Sequence, residues 1–384
     1  MITSELVKLR ESFVKRGFDI RLVGGAVRDF LLGKNPKDID FCTDATPDEQ
    51  EAIYKEDNIH HVATGLAHGT WTVVIGKETY EITTLRTETN HDGRHADVAW
   101  TRNWIEDLSR RDLTINSMAM TFDGTIIDPF GGEKDLENKR IRFIGDPVER
   151  MKEDYLRILR FFRFHARIAG KNGDQLYDKV SVESAQLCAP GLLNISRERV
   201  WSEMSKIVSG KVGYYILADL ISFNIAQYID LPVKDNIHNL ITAHGNTKEP
   251  ASLMAAYLGD KESVESLADK WKWSKEEKKQ AIYIVEHPNL TLKQAKFKIA
   301  VDKDKKYMVA ETLRVQNDSE DADELLEWSV PKFPVNGDDL LELGMVPGLA
   351  MKTALYDLKS KWGLSNYKMT KDDLLKDLHE KRNL

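Results

Sequence analysis

The chain has 384 residues and a formal net charge of −7, with 41% hydrophobic and 30% charged residues. This balance is typical of a soluble globular protein, and the length predicts two to four compact units. The negative charge argues against an indiscriminate nucleic-acid binder. Apolar runs are too short to cross a bilayer, so we expect no membrane partner. The two cysteines are too few for a disulfide framework or a zinc cluster, which fits a reducing compartment.

Residues 1–18 have the pattern of an amphipathic helix. They include Glu5 and Glu11, so they match neither a secretory signal nor a transit peptide, which is poor in acids. We therefore expect no targeting segment. The expected location is cytoplasmic, or mitochondrial or nuclear if the source is eukaryotic.

Residues 20–130 are predicted to form a mixed α/β region that begins with a short strand over 21–23. Gly24 and Gly25 follow this strand and precede a helix over 26–32. Glycines let the backbone approach a ligand closely, and the free N–H groups at a helix start attract phosphate. Arg28, one turn into the helix, can add a charged donor pair to the same anion. An ordinary tight turn is the alternative.

The next predicted strand, over 39–42, has Asp38 and Asp40 at its start. Alternate side chains of a strand share a face, so the two carboxylates are expected to point the same way, about 6–7 Å apart. Carboxylate oxygens suit Mg²⁺, which keeps other positions for water and phosphate. Glu81 lies in the second strand of a hairpin predicted over 70–85 and could complete a three-carboxylate cluster. A surface acid paired with a lysine is the alternative for Glu81.

Arg110 and Arg111 precede a helix-like apolar run, in which Asp112 and Asn116 are one turn apart. Two adjacent arginines at such a position could hold a triphosphate. A structural ion pair between Arg111 and Asp112 is the alternative.

From residue 147 onward the pattern is helical. It predicts one long helix over 150–169, another from Ser196, and a linker over 331–337 before a last helical unit. On the first of these helices four arginines fall within an arc of roughly 120°. They are Arg157, Arg160, Arg163 and Arg167. Such a face requires an anion, either phosphate or carboxylates of another domain, and we favour phosphate.

Asp154 and Arg157 are three positions apart on this predicted helix. One face would then offer an acceptor beside a donor pair, which is the complement needed to read the Watson–Crick edge of a base. An ordinary helix ion pair is the alternative, and spacing alone favours it.

Taken together, these stretches resemble the class II tRNA nucleotidyltransferases, the CCA-adding enzymes of the DNA polymerase beta superfamily. The matching segments occur in the family's order at 23–29, 37–41, 81–86, 92–96, 110–116, 153–157 and 196–199. The resemblance implies an α/β nucleotidyltransferase head of the polymerase-beta type, followed by an all-α neck, body and tail. The implied ranges are 1–138, 139–208, 209–298 and 299–384. The stretch 333–339 and the final helices resemble the eukaryotic-type tail, which would bind the tRNA elbow.

The implied activity is template-independent addition of the 3′-terminal CCA to immature or truncated tRNA, from CTP and ATP with release of pyrophosphate. Asp38 and Asp40 would bind two Mg²⁺ ions, and Glu81 would be the third catalytic carboxylate. The residues implied to bind the nucleotide are Gly24, Gly25, Arg28, Arg111, Asp112, Asn116, Asp154, Arg157, Arg160 and Arg163. Among them, the neck Asp-x-x-Arg pair would act as a protein template for the base. We expect a monomer.

The flexible loop implied to permit the switch to A addition contains Glu88, Asp92, Gly93 and Arg94. Glu88 stands where relatives commonly have Asp. The nearest alternative function is a poly(A) polymerase, or an enzyme that adds only CC or only A. The stretch 61–70 lacks the basic element usual in poly(A) polymerases, and the loop is not shortened as a CC-adding enzyme would require. A silent RNA-binding module is a further alternative, against which the intact Asp38, Asp40 and Arg28 argue.

Overall fold

The computed structural model describes residues 2–36, 38–89, 97–168 and 177–382. The chain forms two compact units, Met1–Leu231 and Pro232–Leu384. The first is an α/β region followed by helices, and the second is helical, which confirms the predicted fold class. The finer division into head, neck, body and tail stays a prediction. In the described ranges, no helix is long and apolar enough to span a membrane.

The described part of the first unit contains nine strands and ten α-helices. The strands are β1 Ile20–Val23, β2 Asp40–Thr43, β3 His60–Gly65, β4 Thr70–Ile75, β5 Glu78–Thr84, β6 Arg86–Thr89, β7 Asp97–Trp100, β8 Ala119–Met120 and β9 Ile126–Ile127. The helices are α1 Ser4–Val14, α2 Gly25–Leu31, α3 Pro47–Glu56, α4 Trp104–Ser109, α5 Gly132–Glu137, α6 Pro147–Glu153, α7 Leu156–Ile168, α8 Lys179–Cys188, α9 Arg197–Val208 and α10 Gly213–Ser222.

Seven of these strands form one sheet in the order β3-β4-β5-β2-β1-β8-β9, and β6 pairs with β7 in a separate ribbon. The predicted hairpin is confirmed as the antiparallel pair β4–β5. β2 pairs in parallel with β5, and this register places Asp40 opposite Glu81. Two acids far apart in sequence therefore meet at one place in the sheet.

Local chemistry accounts for several of these elements. Thr46 and Glu49 form a capping box at the start of α3, with Pro47 at the first helical position, as the sequence predicts. The apolar stripe of α1 buries Leu6 and Phe13 in the core packed beside the sheet. Helix packing of this kind covers the sheet, in which β1 and β2 lie side by side near the centre.

Ten α-helices make up the described part of the second unit. They are α11 Ile237–Asn246, α12 Pro250–Leu258, α13 Lys261–Lys270, α14 Lys275–Glu286, α15 Leu292–Phe297, α16 Lys306–Val315, α17 Ser319–Glu327, α18 Gly337–Glu342, α19 Leu349–Leu364 and α20 Lys371–Arg382. Capping boxes at Ser274, Thr291 and Asn336 begin α14, α15 and α18. Residues 328–336 between α17 and α18 are non-helical and include most of the predicted linker over 331–337, but Gly337 begins α18.

Candidate active site

A cavity of about 700 Å³ in the first unit gathers most of the predicted site residues. It lies between the turn after β1, the start of β2, the segment after α4, and helix α7. The predicted residues that line it are Gly24, Gly25, Arg28, Asp38, Asp40, Glu88, Arg111, Asp112, Asn116, Asp154, Arg157, Arg160 and Arg163. Glu81 is not among the lining residues, although it stands opposite Asp40 in the sheet. Asp92, Gly93 and Arg94 lie outside the described residues.

Asp38, Asp40 and Glu81 form the acidic edge of the site. Desolvation and the neighbouring charge of Glu81 raise the pKa of Asp40, with a smaller contribution from Asp38. Asp38 lies in a bend before β2 rather than on the strand, so the predicted alternation of two strand side chains is wrong, although both carboxylates line the cavity. Within the described ranges, no three acidic, His or Cys side chains are grouped closely enough to hold a metal. The metal roles therefore stay predictions.

The glycine turn after β1 gives Arg111 access to the cavity. Gly24 has φ +62°, a conformation that favours glycine, and a Cβ there would meet Nη1 of Arg111 at 2.8 Å. Arg111 pairs with Asp107, Nη2 to Oδ2 at 3.3 Å. The alternative ion pair between Arg111 and Asp112 is therefore not the one observed. Gly24 is required both by the turn and by the arginine beside it.

A buried polar chain connects α2 to the segment after α4. Arg28 is 4% exposed, and its Nη1 donates to Oδ1 of Asn116 at 2.5 Å. Asn116 in turn donates to Oδ1 of Asp112 at 3.2 Å. Burial would raise the pKa of Asp112, but the Arg160 guanidinium, 2.7 Å away, and these hydrogen bonds lower it below its usual value. Asp112 is thus an anion that orients its neighbours.

The predicted single helix over 150–169 is wrong, because the helix is interrupted at Asp154 and Tyr155, which lie between α6 and α7. Asp154 is extended, with φ −157° and ψ 106°, and its Oδ1 accepts the Leu156 N–H at 3.1 Å. The Tyr155 ring occupies the space over Gly191, where a Cβ would come within 2.1 Å of the ring. Local capping and this distant packing together end one helix and start the next.

Asp154 and Arg157 consequently do not form the helix ion pair considered as an alternative. Oδ2 of Asp154 accepts from Nη2 of Arg199 at 2.6 Å, whereas Arg157 pairs with Glu153. Both Asp154 and Arg157 nevertheless line the cavity. Their arrangement comes from the helix break and from α9 rather than from one continuous helical face.

Four side chains of α7 form the arginine wall: Arg157, Arg160, Arg163 and Arg167. Arg157 pairs with Glu153, and each of the other three arginines pairs with a carboxylate from another element. Nε of Arg160 donates to Asp112 at 2.7 Å, Nε of Arg163 to Glu203 at 2.6 Å, and Nη2 of Arg167 to Asp29 at 2.7 Å. Of the two kinds of anion considered from the sequence, carboxylates are the ones that these arginines contact in the structure. Phosphate binding by the wall stays a prediction.

Glu88 ties the β6–β7 ribbon to the cavity wall. Its Oε1 accepts from Nε of Arg86 at 2.8 Å and from Nη1 of Arg110 at 2.9 Å. Arg110 also pairs with the buried Asp107. The base of the predicted flexible loop is therefore held to α4 by a network of charges.

Five cavity-lining residues are not among those that the resemblance implied, although Arg110 and Arg167 had been considered as phosphate binders. They are Arg110, Leu156, Phe164, Arg167 and Arg199. Arg199 lies within a segment on which the resemblance rests, but the sequence does not show that its side chain pairs with Asp154. Phe164 gave no signal, because an aromatic residue on the apolar side of an amphipathic helix reads as core.

Comparison with known proteins assigns the class of the head. The model of the poly A polymerase head domain matches residues 20–142, and that of the probable RNA and SrmB-binding site of polymerase A matches residues 178–232. Residues 20–142, which contain the acidic edge and the glycine turn, are therefore similar to the head domain of poly A polymerases.

The most informative sequence similarities extend over the whole chain. Mitochondrial CCA tRNA nucleotidyltransferase 1 of Danio rerio is 38% identical over 396 residues, covering 99% of this chain and 91% of that protein. The Homo sapiens protein of the same name is 37% identical over 391 residues, covering 98% and 90%. The chain belongs to the CCA tRNA nucleotidyltransferase family, which confirms the resemblance read from its motifs.

A solved structure agrees with this assignment. The crystal structure of the Bacillus stearothermophilus CCA-adding enzyme in complex with CTP matches with a TM-score of 0.78 and 26% identity, covering 100% of both chains. The sequence alignments with the vertebrate proteins include the C-terminal region, in agreement with the predicted eukaryotic-like tail.

Proposed function

We propose that the protein adds the 3′-terminal CCA to immature or truncated tRNA, using CTP and ATP and releasing pyrophosphate. The observation that carries this proposal is the single cavity in which carboxylates, a glycine turn and arginines meet, in a chain of the CCA tRNA nucleotidyltransferase family. We further propose that the protein acts as a monomer. For its location we retain the cytoplasm, or the mitochondrion or nucleus of a eukaryote.

The acidic edge fits a divalent cation by its chemistry. Asp38 and Asp40 offer hard oxygen donors, and desolvation together with the Glu81 carboxylate raises the pKa of Asp40, so a cation beside it would favour its charged form. We propose these two residues as the ligands of two Mg²⁺ ions, with Glu81 as the third carboxylate. When bound, such ions would activate the 3′-hydroxyl of the RNA and neutralise the departing pyrophosphate.

The remaining side chains would bind and orient the nucleotide. Arg28 and Arg111 lie beside the glycine turn and are the proposed partners of the triphosphate. Asp154 and Arg157 offer an acceptor and a donor pair to a base edge, and Arg160 and Arg163 support them from the same wall. Positioning of this kind is the main contribution that a protein makes to phosphoryl transfer.

Incorporation into a tRNA transcript that lacks its 3′ end tests this proposal. With CTP alone we expect two C residues, with CTP and ATP a complete CCA end, and with UTP or GTP no product. Sequencing of the 3′ ends reads the result. Addition that stops after CC, addition of A alone, or extension into poly(A) would favour the alternative enzymes on this scaffold. Absence of any incorporation would favour a silent RNA-binding module.

Asp38→Ala in the same assay separates chemistry from RNA binding. We expect pyrophosphate release to be lost while the tRNA still binds, because the substitution removes one carboxylate of the acidic edge and leaves the tail, which is expected to bind the tRNA elbow, unchanged. Glu78→Gln, an exposed acid at the start of β5, is the matched control and should leave both measurements unchanged.

A further inference from the structure

One aromatic ring lies among three arginines of the cavity. Phe164 follows Arg163 on α7, is 4% exposed, and lines the cavity. The Cζ atoms of Arg163, Arg28 and Arg160 lie 4.3, 4.9 and 5.8 Å from the centre of its ring. Because Arg28 belongs to α2 and the other two belong to α7, the ring connects cations from two separate elements.

Two of these cations, Arg28 and Arg163, are costly to hold in the cavity wall. Desolvation lowers the pKa of Arg28, and the charges of Arg167 and Arg163 lower it further. Desolvation likewise lowers the pKa of Arg163, with Arg160 acting in the same direction. The face of an aromatic ring carries negative partial charge and attracts a guanidinium most strongly where water is excluded. The ring therefore offsets part of the repulsion.

An aromatic ring and a carboxylate contact different parts of an arginine side chain. Guanidinium N–H donors lie in the plane of the group, whereas an aromatic ring contacts its face. Asp29 and Glu203 already accept donors from Arg28 and Arg163, at 3.0 and 2.6 Å. A contact to the face adds attraction without using further donors, so those that remain can bind a phosphate.

We propose that Phe164 is a positioning residue of the nucleotide site: its ring holds Arg28, the proposed partner of the triphosphate, beside Arg163 and, more weakly, Arg160 of the arginine wall. This inference rests on the proposed function, since it assigns the triphosphate of CTP or ATP as the anion. A residue that only fills volume in the core would contribute through its size, whereas a positioning ring contributes through its π electrons.

Stepwise fluorination of the Phe164 ring separates these two roles. Fluorine withdraws π electron density while changing the ring volume little, so the full-length protein keeps its packing. We expect KM for CTP, measured with tRNA lacking its 3′ end, to rise with each fluorine and to reach about three- to tenfold. We expect kcat to change by less than about twofold. Phe164→Leu, which keeps an apolar side chain without a π face, should raise KM at least as much.

The same series at Phe161 is the matched control. Phe161 lies on the same helix, is fully buried, and stacks on Phe143 with ring centres 5.8 Å apart. Its fluorination should leave KM unchanged. A KM that is independent of fluorine number at Phe164, or that rises equally at both positions, overturns the inference and leaves the proposed function standing. Unsubstituted protein that incorporates no nucleotide overturns the proposed function, and this inference with it.

Discussion

Asp38 and Asp40 of the acidic edge line the same cavity as the arginine wall, but the edge and the wall balance their charges differently. In the acidic edge, Asp40 stands opposite Glu81, and the pKa of Asp40 is raised by desolvation and by that neighbour. In the arginine wall, Arg160, Arg163 and Arg167 each contact a carboxylate of another element. The wall is thus compensated by carboxylates of the protein, whereas at the edge the Arg111 guanidinium offsets only part of the effect of desolvation and of the Glu81 carboxylate on the pKa of Asp40.

This difference indicates how each side responds to ligands. A cation arriving at the acidic edge relieves repulsion that the fold imposes through the β2–β5 register. A phosphate arriving at the wall must compete with Asp29, Asp112 or Glu203 for the same guanidinium groups. The edge should therefore determine whether the reaction proceeds at all, and the wall how tightly a nucleotide binds.

The largest expected effect comes from the acidic edge. Asp40→Asn keeps the shape of the side chain but removes the charge opposite Glu81. We expect kcat for nucleotide incorporation to fall by at least about a thousandfold, as is typical when a central catalytic group is removed. The thermal midpoint should stay the same or rise, because a repulsive charge is lost. Single-turnover incorporation of CTP and a melting curve provide the two measurements.

Glu78→Gln is the control for this substitution, since Glu78 is an exposed acid at the start of β5, the strand that contains Glu81. It should retain full activity. Equal activity of the unsubstituted protein and Asp40→Asn would show that the acidic edge is a surface feature and would remove the contrast with the wall.

The sequence predicts most of the head because local chemistry determines it. The glycine turn, the capping box at Thr46 and the β4–β5 hairpin all depend on neighbouring residues, and all were found at the expected positions. That Asp40 and Glu81 are neighbours could be predicted only on the assumption that their two strands pair, because strand order depends on the whole sheet. Once the parallel pairing is known, the register follows.

The neck shows where local reasoning fails. Residues 150–169 contain neither proline nor an internal glycine at the break, and the helical periodicity continues through Asp154. The break depends on Gly191, which admits the Tyr155 ring, and on Arg199, which holds the Asp154 carboxylate. Both lie on other elements of the fold. A pattern of period 3.6 carries no information about such partners.

The second prediction concerns base selection by the residues at this break. Asp154→Ala or Arg157→Ala should reduce discrimination against UTP and GTP by about ten- to a hundredfold, the scale of one lost base-edge contact. Arg199→Met should act in the same direction but less, since the Leu156 N–H still holds Oδ1 of Asp154. The ratio of kcat/KM for CTP to that for UTP is the measurement.

Arg197→Met is the matched control, because Arg197 lies at the start of the same helix but pairs with Asp230 at 2.9 Å. It should leave the ratio unchanged. If the Asp154 and Arg199 variants lose overall rate without a change in selectivity, the residues at the helix interruption position the substrate but do not discriminate between bases.

The smallest effect is expected at the glycine turn that lies between the edge and the wall. Gly24→Ala places a Cβ 2.8 Å from Nη1 of Arg111 at a residue with φ +62°. We expect a loss of about 1–3 kcal/mol in the free energy of unfolding from the strained backbone. KM for the nucleoside triphosphate should rise several-fold, because Arg111 must shift. Urea unfolding and steady-state kinetics measure the two effects.

Gly33→Ala distinguishes strain from displacement of the arginine. Gly33 has a similar φ of +68°, but nothing lies within 4 Å of its added Cβ. It should lose comparable stability with KM unchanged. If both variants leave KM unchanged, Arg111 does not bind the triphosphate from this position; if both raise it, the effect comes from the α2 backbone, which the two glycines flank. Only a rise confined to Gly24→Ala assigns the contact between the turn and Arg111 to nucleotide binding.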